Sequence, residues 1–171
     1  MLLKKDCIME IKPITKDNFS EVIEIYKQGL ATNIATFQND SPQWEEWDNG
    51  HLDFCRISIY DDEKMLGWTS LTPVSSRCVY SGVAEVSVYV AQEARGKGIG
   101  KILLKELINQ SEENGIWTLQ SGIFAENENS IRLHEKCGFR LVGYREKIGK
   151  KNGVWKDNVL MELRSKNVGI D

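Results

Sequence analysis

Residues Glu85 to Lys101 read Glu85-Val86-Ser87-Val88-Tyr89-Val90-Ala91-Gln92-Glu93-Ala94-Arg95-Gly96-Lys97-Gly98-Ile99-Gly100-Lys101. An alternating apolar strand runs through a glycine-rich turn straight into a helix, an arrangement suited to holding a pyrophosphate. The first four N–H groups of a helix lack intrahelical acceptors, and the macrodipole adds about half a positive charge beside them. Gly96, Gly98 and Gly100 carry no Cβ, so the main chain can turn sharply and approach an anion closely. Lys97 and Lys101 add charge nearby. Two common glycine motifs do not fit. A P-loop would need a glycine where Arg95 stands and a hydroxyl where Ile102 stands. A dinucleotide fingerprint starting at Gly96 would need a glycine at Lys101.

The elements that must position this turn follow from periodicity. A short alternating segment from Ile8 to Ile14, closed by Pro13, reads as an edge strand. Phe19, Val22, Ile23, Tyr26 and Leu30 form one face of a helix, with Thr15 or Asp17 as N-cap and Gly29 near its end. Ala31 to Pro42 is a polar connection of the kind that covers sites. Gln43 to Gly50, with Trp44 and Trp47, suits a short amphipathic helix, and His51 just beyond it reads as a surface residue. Phe54–Tyr60 and Met65–Thr72 form a hairpin, with Gly67 marking a bulge. After the glycine turn, Ile99, Ile102, Leu103, Leu107 and Ile108 make a helical stripe ending at Asn114-Gly115. Ile116–Phe124 is a strand, and the span from Ala125 to Cys137 contains a short helix. Phe139–Ile148 and Val154–Leu163 form a closing hairpin around Gly149-Lys150-Lys151-Asn152-Gly153. The tail from Arg164 is expected to be loose.

The 171 residues suffice for one compact domain with a full core. A net charge of −3 with dispersed lysines and arginines offers no stripe for nucleic acid. Cys7, Cys55, Cys78 and Cys137 show no metal-binding or disulfide spacing, so buried free thiols and no metal are expected. No apolar run approaches the roughly 20 residues that span a bilayer, and the first residues are too polar for a signal peptide, so a cytoplasmic protein is expected. Met1 and Met9 are both possible starts.

Arg95-x-x-Gly98-x-Gly100 resembles the acyl-CoA pyrophosphate loop of the GNAT superfamily of N-acetyltransferases. Downstream, Asn127-x-x-Ser130-x-x-Leu133-His134-x-Lys136-x-Gly138-Phe139 resembles the second half of that superfamily's acetyl-CoA site. The likeness extends over about residues 10–163 and implies a single N-acetyltransferase domain. The fold it implies is α/β: a mixed, mostly antiparallel sheet of about six or seven strands flanked by helices, with the acyl-CoA cleft between the two central strands. A narrower resemblance, to the phosphinothricin and methionine sulfoximine N-acetyltransferases, lies in Arg77-x-x-Tyr80, Glu85-x-Ser87-Val88-Tyr89-Val90, Ser130-Ile131-Arg132-Leu133-His134-Glu135 and Gly149-Lys150-x-x-Gly153-x-Trp155-x-Asp157. Thr32-x-x-x-Thr36-Phe37 is similar too. Relatives in that branch are often paired, which implies a homodimer with Trp155 near the contact.

The resemblance assigns roles. The backbone of Val88, Tyr89 and Val90 would pair with pantetheine like an added strand. The N–H groups across Arg95, Gly96, Lys97, Gly98, Ile99, Gly100 and Lys101 would take the pyrophosphate, and the Val88 N–H would donate to the oxyanion. Glu85 would be the general base, acting through water; a carboxylate's reference pKa of about 4.3 lies far below that of an alkylammonium, so burial or a relay is needed. His134 would protonate the leaving thiolate or relay the amine proton, with Tyr80 the other candidate donor. Asn127 would reach pantetheine, although helix capping also accounts for an asparagine there. Arg77 would grip a carboxylate or a phosphinic or sulfonyl oxygen, with Ser76, Thr36 and Phe37 lining the pocket. The expected reaction is acetyl transfer from acetyl-CoA to the amine of a small amino-acid analogue of the phosphinothricin, methionine sulfoximine or methionine sulfone type. The alternatives are a polyamine, aminoglycoside or protein N-terminus as acceptor, or an acyl-CoA sensor without turnover.

Overall fold

The structure is a computed structural model that describes residues 9–171. The readings placed on Met1, Cys7, Ile8 and the N-terminal leader lie outside the described residues. Seven strands form one sheet, β1 (Met9–Pro13), β2 (Ile57–Asp61), β3 (Lys64–Pro73), β4 (Val83–Val90), β5 (Thr118–Phe124), β6 (Arg140–Lys151) and β7 (Val154–Arg164), in the order β1-β2-β3-β4-β5-β7-β6. Every neighbouring pair is antiparallel except β4–β5. This is the mixed, mostly antiparallel α/β sheet expected from the sequence, with β1 on its edge.

Alternation along β4 sorts its side chains between two helical layers. Tyr89 lies against α1 (Phe19–Leu30), where a Cβ on Gly29 would come within 2.8 Å of its ring. Val90 faces α3 (Ile99–Glu113), its Cγ2 3.6 Å from a Cβ built on Gly100. By parity Glu85, Ser87 and Tyr89 share the α1 face, and Ala84, Val86 and Val88 the α3 face. On the α1 face Trp68 stacks on Tyr89 at 4.8 Å and donates from its indole N–H to the Val22 carbonyl at 3.1 Å. On the other face Leu103, Leu104 and Leu107 of α3 are fully buried, as its apolar stripe requires. The β3–β4 junction is thus buried on both sides.

Several local readings shift. Thr15 caps a 3-10 turn, Lys16–Asn18, that runs straight into α1, and the Asn18 side chain accepts from the Thr15 N–H at 2.9 Å and donates to the Pro13 carbonyl at 3.0 Å. The closing hairpin turns on Asn152 (φ 49°) and Gly153 (φ 80°) alone, with β6 running through Lys151. Asn-Gly tolerates two successive positive φ values, so two residues suffice where five seemed needed. The tail is tied down by Arg164, which donates to the Trp117 carbonyl at 3.1 Å and the Val168 carbonyl at 2.8 Å. Cys55 is buried, with its thiol pushed up to about 12 by burial and by Glu113 and Glu106, but Cys78 is exposed, contrary to the expectation of buried thiols. Trp155 is exposed, with the Lys150 amine 4.7 Å above its ring. Among the described residues no helix is long and apolar enough to cross a membrane.

Candidate active site

The central strands part where the chemistry is expected. β4 and β5 pair only at Val83↔Thr118, Ala84↔Leu119 and Glu85↔Gln120. Beyond Glu85, β4 continues on β3 to Val90 while β5 continues on β7 to Phe124, which opens a cleft. The Ala91 N–H donates to the Leu66 carbonyl at 2.8 Å. Backbone groups of an antiparallel strand alternate in direction, so Val88 and Val90 present theirs away from β3, into the cleft. Arg95 Nε reaches the Val90 carbonyl at 3.3 Å, which ties the glycine turn to the end of this strand and leaves Val88 the open backbone position.

The turn has the geometry of an anion cradle. Gly96 (φ 74°) and Gly98 (φ 84°) occupy the left-handed region, and a Cβ at either would meet nothing within 4 Å. Gly98 caps α3, with no side chain bonded to the cap; the first helical bond runs from Ile102 N–H to the Gly98 carbonyl at 3.1 Å. The N–H groups of Ile99, Gly100 and Lys101 therefore have no helical acceptor. Arg95, Lys97 and Lys101 are exposed beside them. Gly100 proves different from its neighbours. It is buried, and a Cβ there would stand 2.9 Å from Leu133 of α4 (Glu128–Lys136), so its absence permits helix packing rather than anion approach.

On the α1 face a cavity of about 520 Å³ reaches down to Ser87 and Tyr89 of β4. Thr36 and Phe37 line it, as expected. The hydroxyls of Tyr26 and Tyr89, which line the same cavity, are pushed above the usual tyrosine range chiefly by burial and so stay protonated. Glu85 is half-buried and points to this same face by parity, its Oε2 accepting from Gln120 Nε2 at 3.0 Å. Ser76, Arg77 and Tyr80 do not line the cavity. They lie on the connection between β3 and β4, with the Arg77 guanidinium 5.5 Å over the exposed Tyr80 ring.

The loop bearing Thr36 and Phe37 is held from three sides, which the sequence did not disclose. Asn127 accepts from the Ser130 N–H at 3.2 Å, capping α4, and donates to the Ile34 carbonyl at 3.2 Å. Helix capping thus accounts for one part of this amide and the loop for another, while its second N–H and second lone pair remain open. Phe37 packs edge-on against Phe124 at 4.5 Å and over Gly149, where a Cβ would come within 2.9 Å of its ring. Lys151, buried at the end of β6, donates from its ammonium to the Gln38 carbonyl. A lysine in a Gly-rich turn reads as solvated; only the docking of β6–β7 on the loop buries it.

His134 is 1% exposed, edge-on to Phe139 at 5.0 Å, with Nδ1 2.8 Å from the Ser130 carbonyl. A carbonyl only accepts, so Nδ1 carries the proton and Nε2, buried and without a partner among the described residues, carries a lone pair. Burial pushes the imidazole below its usual range. A neutral ring with a bare Nε2 can accept a hydrogen bond but has no proton there for a thiolate. His51 also titrates below its usual range because of burial. Both folded values lie below the unfolded value of about 6.5, so the unfolded chain takes up protons first as pH falls. Stability should therefore drop as pH falls below about 6.5, and His134→Asn should make that drop shallower. Urea midpoints at pH 7.5 and pH 5 measure this; an unaltered difference in the variant would refute it.

Residues 19–139 match the acetyltransferase (GNAT) family. The phosphinothricin N-acetyltransferase of Alcaligenes faecalis is 30% identical over 175 residues, covering 95% of this chain and 85% of that one. Among solved structures, the GNAT superfamily phosphinothricin acetyltransferase of Sinorhizobium meliloti in complex with acetyl-CoA superposes with a TM-score of 0.78 at 25% identity, over 95% of this chain and 96% of that one. The ribosomal-protein-alanine N-acetyltransferase of Brucella melitensis gives 0.81 at 28% identity, over 91% and 99%. With the parted strands and the glycine cradle, these likenesses establish that the chain belongs to the GNAT family and is an acetyl-CoA-dependent N-acetyltransferase.

Proposed function

We propose that the acceptor is the amino group of a small amino-acid analogue of the phosphinothricin, methionine sulfoximine or methionine sulfone type. The observation carrying this reading is the meeting of two spaces at β4: the cleft beyond Glu85 and the cavity over Ser87 and Tyr89. The likeness to the Alcaligenes and Sinorhizobium proteins supports the substrate class. In this reading the thioester lies along Val88–Val90 with its carbonyl oxygen at the Val88 N–H, and the amine enters from the cavity. Glu85, at the fork and fixed by Gln120, receives a proton from the attacking nitrogen. Arg77 forms no ion pair among the described residues, and its fork is available for the acceptor's carboxylate at the rim.

A second reading has one observation in its favour. The charged side chains lining the cavity are Asp40 and Glu46, with no lysine or arginine among them, which suits a cationic amine such as a polyamine. Release of free thiol from acetyl-CoA with phosphinothricin, methionine sulfoximine, methionine sulfone and spermidine separates the two. The amino-acid analogues should be turned over, and Arg77→Ala should raise their KM about 10-fold with little change in kcat. Turnover of spermidine alone would favour the second reading, and no acceptor-dependent thiol would favour an acyl-CoA sensor.

A further inference from the structure

Two protons leave the acceptor nitrogen during acetyl transfer, one before attack and one as the amide forms. Glu85 accounts for one of them in the reading above. The cavity contains another group for which the sequence suggested only a surface position. His51, which follows α2 (Trp44–Gly50), is half-buried and lines the cavity together with Ser87 and Tyr89. Its Nδ1 lies 2.6 Å from the Trp47 carbonyl, and its ring stacks on the Trp47 indole at 4.2 Å and 19°. Because the carbonyl can only accept, the neutral ring carries its proton on Nδ1 and a lone pair on Nε2.

The backbone around this ring is locked. Arg56 donates from Nε to the Leu52 carbonyl at 2.6 Å and from Nη2 to the Asp48 carbonyl at 3.0 Å and the His51 carbonyl at 3.2 Å, and it pairs with the Asp48 carboxylate. The Leu52 N–H donates to the Leu71 carbonyl at 2.9 Å, and Leu71 pairs with Val86, between the Ser70↔Ser87 and Thr72↔Glu85 rungs. His51 is thus seated beside the stretch of sheet from which Glu85 and Ser87 rise. Beneath it Ser70 Oγ and Trp47 Nε1 are buried without a partner among the described residues, polar atoms that a bridging water would satisfy.

We propose that His51 Nε2 accepts the first proton, directly from the acceptor's ammonium or through one water. This rests on acetyl transfer taking place at this cavity. The ammonium N–H bond breaks and its electron pair stays on nitrogen, while the proton joins Nε2 to give an imidazolium that later returns it to solvent. The free amine attacks the thioester carbon and the C–S bond breaks; the second nitrogen proton passes by way of Glu85, and the thiolate leaves and is protonated. The charged and titratable groups around the ring are Arg56 and Asp48 behind it, Glu46 on α2 and Asp40 on the loop, which line the same cavity, and the Tyr26 and Tyr89 hydroxyls across the cavity. The tyrosines hold their protons, whereas an imidazole is matched to proton transfer near neutral pH.

The test is His51→Gln, whose side-chain amide can still donate toward the Trp47 carbonyl but which has no basic nitrogen. For whichever amine of the panel is turned over, kcat at pH 7 should fall about 30-fold, with KM for acetyl-CoA within about twofold. The wild-type rate should fall as pH drops through a value below about 6.5, because the His51 imidazole must be neutral to take the proton, and the variant should lose that limb. Long-range proton–nitrogen spectra of the wild type should show this ring as the Nδ1–H tautomer; the chain has two histidines, so either His51→Gln or His134→Gln assigns it. A retained acid limb, an equal loss at every pH, or an Nε2–H tautomer would overturn the proposal. The identity of the amine turned over bears on the acceptor class, whereas the ratio of variant to wild type on that amine bears on His51. If none is turned over, the acceptor reading fails with it, while an Nε2–H tautomer overturns the role of His51 whatever the acceptor.

Discussion

Glu85→Gln is expected to lower kcat by at least about 100-fold while leaving KM for acetyl-CoA within about twofold. The expectation rests on position. Glu85 forms the last rung between β4 and β5, so it stands at the point where the cleft begins. Its carboxylate accepts from Gln120 Nε2 at 3.0 Å, and a glutamine oxygen can accept the same bond. The substitution therefore removes the base and preserves the shape of the fork. Steady-state thiol release with the best acceptor, together with acetyl-CoA affinity from calorimetry, separates the chemical step from binding. A kcat within about threefold of wild type would show that Glu85 is only a strand residue paired with Gln120, and it would transfer the whole proton problem to other groups.

The second large effect is a contrast within the glycine turn. Gly98→Ala should weaken acetyl-CoA binding by about 10-fold or more, while Gly100→Ala should chiefly lower stability. At Gly98 the φ of 84° costs an alanine about 1–2 kcal/mol, and the new Cβ meets no protein atom within 4 Å. What the methyl group obstructs is the concave side of the turn, where the N–H groups of Ile99 to Lys101 await an anion. At Gly100 the backbone is helical, but the Cβ would stand 2.9 Å from Leu133 and push α4 from α3. Calorimetric titration with coenzyme A and thermal melts of both variants make the comparison. Equal losses of affinity, or none at Gly98, would contradict the cradle.

Much of this arrangement was legible because it depends on short-range rules. The helix stripes of α1 and α3, the alternation of β4 and the Asn-Gly turn are local patterns, and local sterics and periodicity enforce them wherever the chain goes. The glycine turn was readable for the same reason: left-handed φ values at Gly96 and Gly98 and unpaired amides at a helix start need no distant partner. The packing constraint at Gly100 was not legible because it comes from Leu133, 33 positions further along. His51 looked superficial because its burial comes from Trp47, Arg56 and β3 together. Arg77 and Ser76 were expected to share a pocket with Thr36 and Phe37, yet they lie on the connection between β3 and β4 and form no part of the cavity wall.

By itself, the sequence determined the order of elements and the anion cradle, since each is encoded in contiguous residues whose backbone preferences and missing side chains act over a few bonds; the kind of reaction followed from the resemblance that its motifs carry. The tertiary structure alone decided where β4 leaves β5, which histidine faces the cavity, and that Lys151 and Asn127 hold the acceptor loop. Those depend on burial and on which carbonyl lies opposite which donor. Such pairings are set by the packing of segments far apart in the chain, and no local pattern specifies them.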